Sequence, residues 1–203
     1  MIKRNTLKLI AAYAVLAGAA GVFGACSQQD VAFASIDVTG AEYAKDFALP
    51  DHNGQVRQLK DFAGKIVVVF FGYTQCPDVC PTSLAELAEV KRLLGKDGDR
   101  LQGIFVTVDP ARDTPEVLKA YMEAFDPTFL ALTTTPDTLA KIAKDFKVYY
   151  KKSEGKTDTS YTMDHSAGSY VYDTKGQLRL FTRYGSGAAL LAKDIQLLLR
   201  PGV

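Results

Sequence analysis

The chain has 203 residues, 47% of them apolar, and its 24 basic and 23 acidic side chains leave a formal net charge of +1. That length and apolar content suit one globular domain with a full core, plus a tail or leader. There is no basic stripe or RNA-binding signature, which argues against a nucleic-acid partner, and there is no internal repeat or low-complexity tract.

The N-terminus differs from the rest. Lys3, Arg4 and Lys8 precede an uncharged apolar run from Leu9 to Ala25, and the first 26 residues hold no acid. A basic start, an apolar stretch and small residues at its end describe an export signal. Three outcomes are open. Phe23-Gly24-Ala25-Cys26 is similar to a bacterial lipobox, in which Cys26 is lipidated and becomes the first residue. Ala32-Phe33-Ala34 fits ordinary cleavage, which releases the protein. The 17-residue run also suits a short uncleaved anchor. The expected division is 1–25 as signal peptide or membrane anchor, 26–43 as lipid attachment and tether, and 44–203 as the folded domain.

Within that domain, Asn53-Gly54 between short apolar runs signals a hairpin. Ile66 to Phe71 is a continuous β-branched and aromatic run, suited to a central strand covered on both faces. From Pro81 the pattern is helical, with Leu84, Leu87, Ala88 and Leu94 on one stripe. Gly103 to Val108 reads as another buried strand. Thr114-Pro115-Glu116 and Thr135-Pro136-Asp137 each open a helix with a cap residue, a proline in the first turn and an early acid. Ser169–Tyr172 and Leu178–Tyr184 read as strands joined by the Asp173-Thr174-Lys175-Gly176 turn, and Gly187–Leu199 as an amphipathic closing helix. Alternating strands and helices give an α/β fold. A final antiparallel hairpin and helix fit a thioredoxin-like plan: a central mixed sheet flanked by helices, with an extra N-terminal hairpin.

With Cys26 lipidated or removed, Cys76 and Cys80 are the only cysteines. A pair so close closes a tiny loop and staples nothing, so in an exported chain it points to redox or metal chemistry. The pair falls after a central strand and at the start of a helix. Residues i and i+4 share a helical face, so the two sulfurs can chelate one ion or approach disulfide distance. A helix N-terminus stabilises the thiolate, the form that attacks disulfides and binds metal.

Phe71-Gly72-Tyr73-Thr74 followed by Cys76-Pro77-Asp78-Val79-Cys80-Pro81 resembles the Sco/SenC copper-chaperone family. Val108-Asp109-Pro110-Ala111-Arg112-Asp113-Thr114-Pro115 resembles its middle motif, and Tyr161-Thr162-Met163-Asp164-His165-Ser166 its histidine loop. The resemblance covers roughly residues 40–200. It implies a thioredoxin-like fold in which Cys76, Cys80 and His165 bind one copper ion, Cu(I) or Cu(II). It also implies a role in assembling the dinuclear copper site of cytochrome c oxidase. The implied partners are the oxidase subunit carrying that site, with a thioredoxin-like reductant or another copper carrier. The implied location is the periplasmic side of the bacterial cytoplasmic membrane.

Two soft thiolates suit Cu(I), and imidazole suits several copper states. Zinc, which usually takes four ligands at a structural site, would need Asp78, Asp164 or water as a fourth. Asp164 is a candidate to orient His165 from behind, with Asp78 as another second-layer candidate. Other readings stay open: a structural disulfide, a thiol–disulfide reductase using Cys76 and Cys80 as its redox pair, or a peroxidase. His52 is expected to be exposed in a turn, Asp109 and Arg112 to form a loop ion pair or cap, and the Lys141, Lys144, Lys147, Lys151 and Lys152 run to be a solvated face.

Overall fold

The structure, a computed structural model, describes residues 32–155 and 160–201. Its strands are β1 (Ile36–Asp37), β2 (Leu49–Pro50), β3 (Val56–Arg57), β4 (Ile66–Gly72), β5 (Leu101–Thr107), β6 (Leu130–Leu132), β7 (Tyr150–Ser153), β8 (Thr162–His165), β9 (Gly168–Tyr172) and β10 (Leu178–Arg183). The α-helices are α1 (Val79–Leu93), α2 (Pro115–Glu123), α3 (Pro136–Asp145) and α4 (Ala188–Leu198).

Six strands form one sheet in the order β1-β10-β9-β4-β5-β6. β4, β5 and β6 run parallel, joined through the helical crossovers α1 and α2. β9 is antiparallel to both β4 and β10, and β1 is antiparallel to β10. This is the expected thioredoxin-like mixed sheet.

The sequence explains its centre. β4 reads Ile-Val-Val-Val-Phe-Phe-Gly and β5 reads Leu-Gln-Gly-Ile-Phe-Val-Thr, and every residue of both is buried. Only strands covered on both faces tolerate such runs. Alternation sends Phe70 and Phe71 to opposite faces. Phe71 meets Phe146, at the end of α3, edge to face at 5.1 Å, while Phe70 shares a small cavity with Leu84, Leu87 and Leu191 of α1 and α4. Thr114 and Thr135 cap α2 and α3 as expected, each accepting a backbone N–H three residues on; a lost cap of this kind costs about 1 kcal/mol.

The N-terminal hairpin β2–β3 turns through Asp51-His52-Asn53-Gly54, with Gly54 at φ +80°. It docks on β6 through a bridge between Asp51 and Leu132. His52 is therefore half-buried rather than exposed: its Nδ1 accepts the Ala131 N–H at 3.1 Å, and its own N–H donates to the Ala131 carbonyl. Burial lowers its pKa. The five lysines from 141 to 152 are all exposed, although Lys147 and Lys152 lie over the rings of Tyr43 and Tyr161.

The stretch expected to be a tether is partly built into the domain. Ile36–Asp37 pairs with β10 as an edge strand. The N–H groups of Ala34 and Ser35 each donate at 2.8 Å to the carboxylate of Asp194, which is 1% exposed. A buried carboxylate needs such partners, and these two come from the segment expected to be a tether. The leader and Cys26 lie outside the described residues. Among the described residues, no helix is long and apolar enough to cross a membrane.

Candidate metal centre

β4 ends at Gly72, and residues 73–78 form the turn that carries Cys76 before α1 begins at Val79. The Cys76 N–H closes this turn on the Tyr73 carbonyl at 3.2 Å. Cys80 lies in the first turn of α1 and is fully buried, whereas Cys76 is half-buried; both are free thiols. Gly72 makes the approach possible. A Cβ there would stand 2.7 Å from Cys80 Sγ and 2.8 Å from the Phe105 ring.

His165 reaches the same place from a different part of the chain. β7 and β8 form a separate two-stranded sheet in which His165 pairs with Tyr150. Its Nε2 lies 3.4 Å from Cys80 Sγ. Its Nδ1 lies 2.9 Å from the Ser166 carbonyl oxygen. A carbonyl only accepts, so Nδ1 carries the proton and Nε2 offers its lone pair toward the sulfur. The ring is held edge-on by Tyr73 at 5.9 Å and by Phe70 at 6.1 Å. Ser166 fixes the end of the hairpin, since its N–H donates to the Tyr149 carbonyl and its Oγ accepts the Tyr149 N–H.

Electrostatics follow from burial. Burial lowers the pKa of His165, which keeps the imidazole neutral and able to ligate. Burial also pushes the Cys80 thiol well up, outweighing the hydrogen bond from the Tyr73 backbone. The helix N-terminus alone would favour the thiolate, but desolvation dominates at this depth. A cation that replaces the proton restores the balance.

The donor atoms of Cys76, Cys80 and His165 all lie within 4.8 Å of one another. Donors bound at ~2.0–2.3 Å to one ion stand about 3.3–4.5 Å apart, so a small contraction lets a single ion touch all three. Two sulfurs and one neutral imidazole form a soft donor set, suited to Cu(I) and usable by zinc. Asp78 and Asp164 are not part of the cluster. Asp164 accepts a hydrogen bond from Ser153 Oγ at 2.6 Å, and Asp78 accepts one from Thr82 Oγ1 at 3.4 Å. The group that fixes the imidazole is the Ser166 carbonyl, which backbone position alone provides and no side-chain pattern announces.

The middle motif braces the site. Asp113, fully buried, accepts from Thr74 N and Oγ1 and from Thr107 Oγ1, which fixes the start of the cysteine turn. Asp109 and Arg112 form the expected ion pair, but Arg112 also reaches Gln75 and Tyr161.

A family model described as SCO1/SenC matches residues 37–200. The SCO2-like protein of Rickettsia felis is 38% identical over 133 residues, 65% of this chain and 65% of the relative, so the chain spans just under two thirds of that protein's length. The SCO2-like protein of Rickettsia conorii is 32% identical over 182 residues, 87% of this chain and 89% of the relative. Among solved structures, that of Bradyrhizobium japonicum ScoI with copper bound superposes with a TM-score of 0.69 at 42% identity, covering 75% of this chain and 97% of that one.

Proposed function

The chain belongs to the SCO1/SenC family, and from that premise we propose that it carries one copper ion on Cys76, Cys80 and His165 and delivers it to the dinuclear copper site of cytochrome c oxidase. The copper is cargo rather than a resident catalyst. The observation that carries this reading is the convergence of three donors from two distant segments within 4.8 Å. Copper bound to Bradyrhizobium japonicum ScoI supports it. Three protein ligands leave coordination positions through which a partner's ligands can take the ion stepwise. We place the protein at the periplasmic face of a bacterial cytoplasmic membrane, with residues 44–203, together with the β1 edge strand, as its functional domain and Cys26 as the lipid attachment point. The acceptor is the oxidase subunit holding the dinuclear site, with a thioredoxin-like reductant or another copper carrier upstream.

The test is anaerobic titration of the reduced full-length protein with copper. One ion per chain is expected. Cys76→Ser and Cys80→Ser should each abolish tight binding, because a soft ion is then left with one thiolate and one imidazole in place of the thiolate pair. His165→Ala should weaken binding and shift the Cu(II)–thiolate absorption. A His165→Ala protein that binds both oxidation states like the parent overturns the three-ligand site.

One observation favours a second reading, reduction of a partner's disulfide: both cysteines are free and Cys76 is half-exposed. Thiol exchange does not need His165, so exchange kinetics of His165→Ala separate the two roles.

A further inference from the structure

Arg112 lies where the cysteine turn, the histidine hairpin and the β5–α2 loop meet. Its Nε pairs with the Asp109 carboxylate. Its Nη1 donates to Gln75 Oε1 at 3.0 Å and to the Tyr161 carbonyl at 2.9 Å. The guanidinium carbon sits 3.6 Å from the centroid of the Tyr161 ring, and 5.7 Å from that of Tyr73. Tyr161 in turn donates its hydroxyl to Asp109 at 2.8 Å. Gln75 adjoins Cys76, and Tyr161 directly precedes β8, which ends in His165. One side chain therefore holds the neighbours of two proposed ligand segments that lie 85 residues apart.

The hairpin needs such a hold. Among the described residues, β7–β8 pairs with no strand of the main sheet, and a lone two-stranded ribbon is marginal in water. The pinning by Ser166 and Tyr149 secures only the end near His165. At the other end the Arg112–Asp109 pair is largely withdrawn from solvent, with side chains 15% and 4% exposed, so screening by water is weak. Arg112 Nη2 is shielded and has no hydrogen-bond partner among the described residues. The adjacent ring face meets that charge instead. Lysine could not reproduce this geometry, since only the planar guanidinium bonds in its plane while stacking on its face.

We propose that Arg112 is a positioning residue, a latch that seats the histidine hairpin against the cysteine turn and so sets where His165 meets the two sulfurs. The proposal rests on the copper-ligand reading of Cys76, Cys80 and His165. Through the latch, contacts remote from the ion control how firmly the imidazole is held. A partner that displaces Tyr161 from Arg112 would loosen His165 without touching the copper.

The test is a double-mutant cycle on the reduced full-length protein, reading Cu(I) affinity by competition with a chromophoric chelator. Arg112→Ala should weaken affinity by roughly 10–100-fold, the cost typical of losing a group that orients a metal ligand. In the His165→Ala background the same change should cost less than about twofold, the scatter within which such cycles resolve coupling, because a residue that acts only through His165 then has nothing left to position. Metal-free Arg112→Ala should exchange its β7–β8 amides faster while β4–β5 stays protected, and Arg112→Lys should recover only part of both effects. Equal loss in both backgrounds, no loss in either, or unchanged hairpin exchange overturns the latch. If Arg112→Ala does not fold, Arg112→Lys and Tyr161→Leu carry the same cycle. If His165→Ala itself binds copper like the parent, the ligand reading fails, and the metal-free exchange measurement still decides the latch.

Discussion

Gly72→Ala is the smallest change that should disturb the metal centre without altering any donor. The added methyl would lie 2.7 Å from Cys80 Sγ, 2.8 Å from the Phe105 ring and 3.0 Å from the Phe70 ring. Unstrained contacts between such atoms sit near about 3.5–4.0 Å, so the methyl falls short by roughly 1 Å on three sides. None of the three neighbours ends in a flexible tip. Cys80 is fixed in the first turn of α1, and the two rings are at most 2% exposed inside the core. Overpacking of this kind costs about 1–3 kcal/mol, which for a domain of this size lowers Tm by roughly 2–12 °C. The sulfur is the softest element of the crowd and should move most. Metal donors tolerate displacements of only about 0.2 Å, so copper affinity should fall at least tenfold even at temperatures where the fold is intact. Calorimetry and chelator competition on the same preparation measure both quantities. A Gly72→Ala protein with parental Tm and parental copper affinity would refute the close approach of β4 to Cys80.

Asp113→Asn should cost about 1–3 kcal/mol by denaturant titration, because an amide cannot accept all the hydrogen bonds from Thr74 and Thr107 that the buried carboxylate takes; an unchanged midpoint would contradict the brace. His165 is held neutral by burial, so the unfolded chain binds the imidazole proton first; stability of the metal-free protein should fall as pH drops below the ordinary imidazole value of 6.5. That component should vanish in His165→Ala, and identical pH profiles for the two proteins would contradict it. Cys80 has the opposite sign, since burial raises its thiol pKa: its contribution is complete below the ordinary value of 9.0 and should be lost as pH rises beyond it, which unfolding curves of the parent and Cys80→Ser separate. Mass spectrometry of the mature protein should find a diacylglyceryl group on Cys26, whereas an unmodified N-terminus at Ser35 would show ordinary cleavage.

Much of the framework is legible residue by residue. The unbroken apolar runs of β4 and β5 announce central strands, and the Thr-Pro pairs announce the starts of α2 and α3 through their own caps. The cysteine pair is local, so its place at a helix start follows from the neighbouring pattern. The rest depends on contacts that span the chain. β6 is three residues long, too short for any periodicity. Tyr-Lys-Lys-Ser in β7 does not stand out as a strand, because it pairs outside the main sheet. Nothing in the spacing of His165 places it beside Cys80; the histidine motif is informative only through its resemblance to a family. The bonds from Arg112 to Tyr161 and from Ala34 to Asp194 join residues 49 and 160 positions apart, where sequence pattern carries no geometric signal. Cys80 also escapes local rules: the helix start favours its thiolate, but the surrounding core decides the balance.

We propose that Cys76, Cys80 and His165 together hold one copper ion. X-ray absorption on the full-length protein, reduced and loaded anaerobically with one equivalent of copper, reads the donor atoms at the ion itself. The expected ligand atoms are two sulfurs and one imidazole nitrogen, with the nitrogen lost in His165→Ala. An ion without sulfur neighbours, or a spectrum that His165→Ala leaves unchanged, would contradict it.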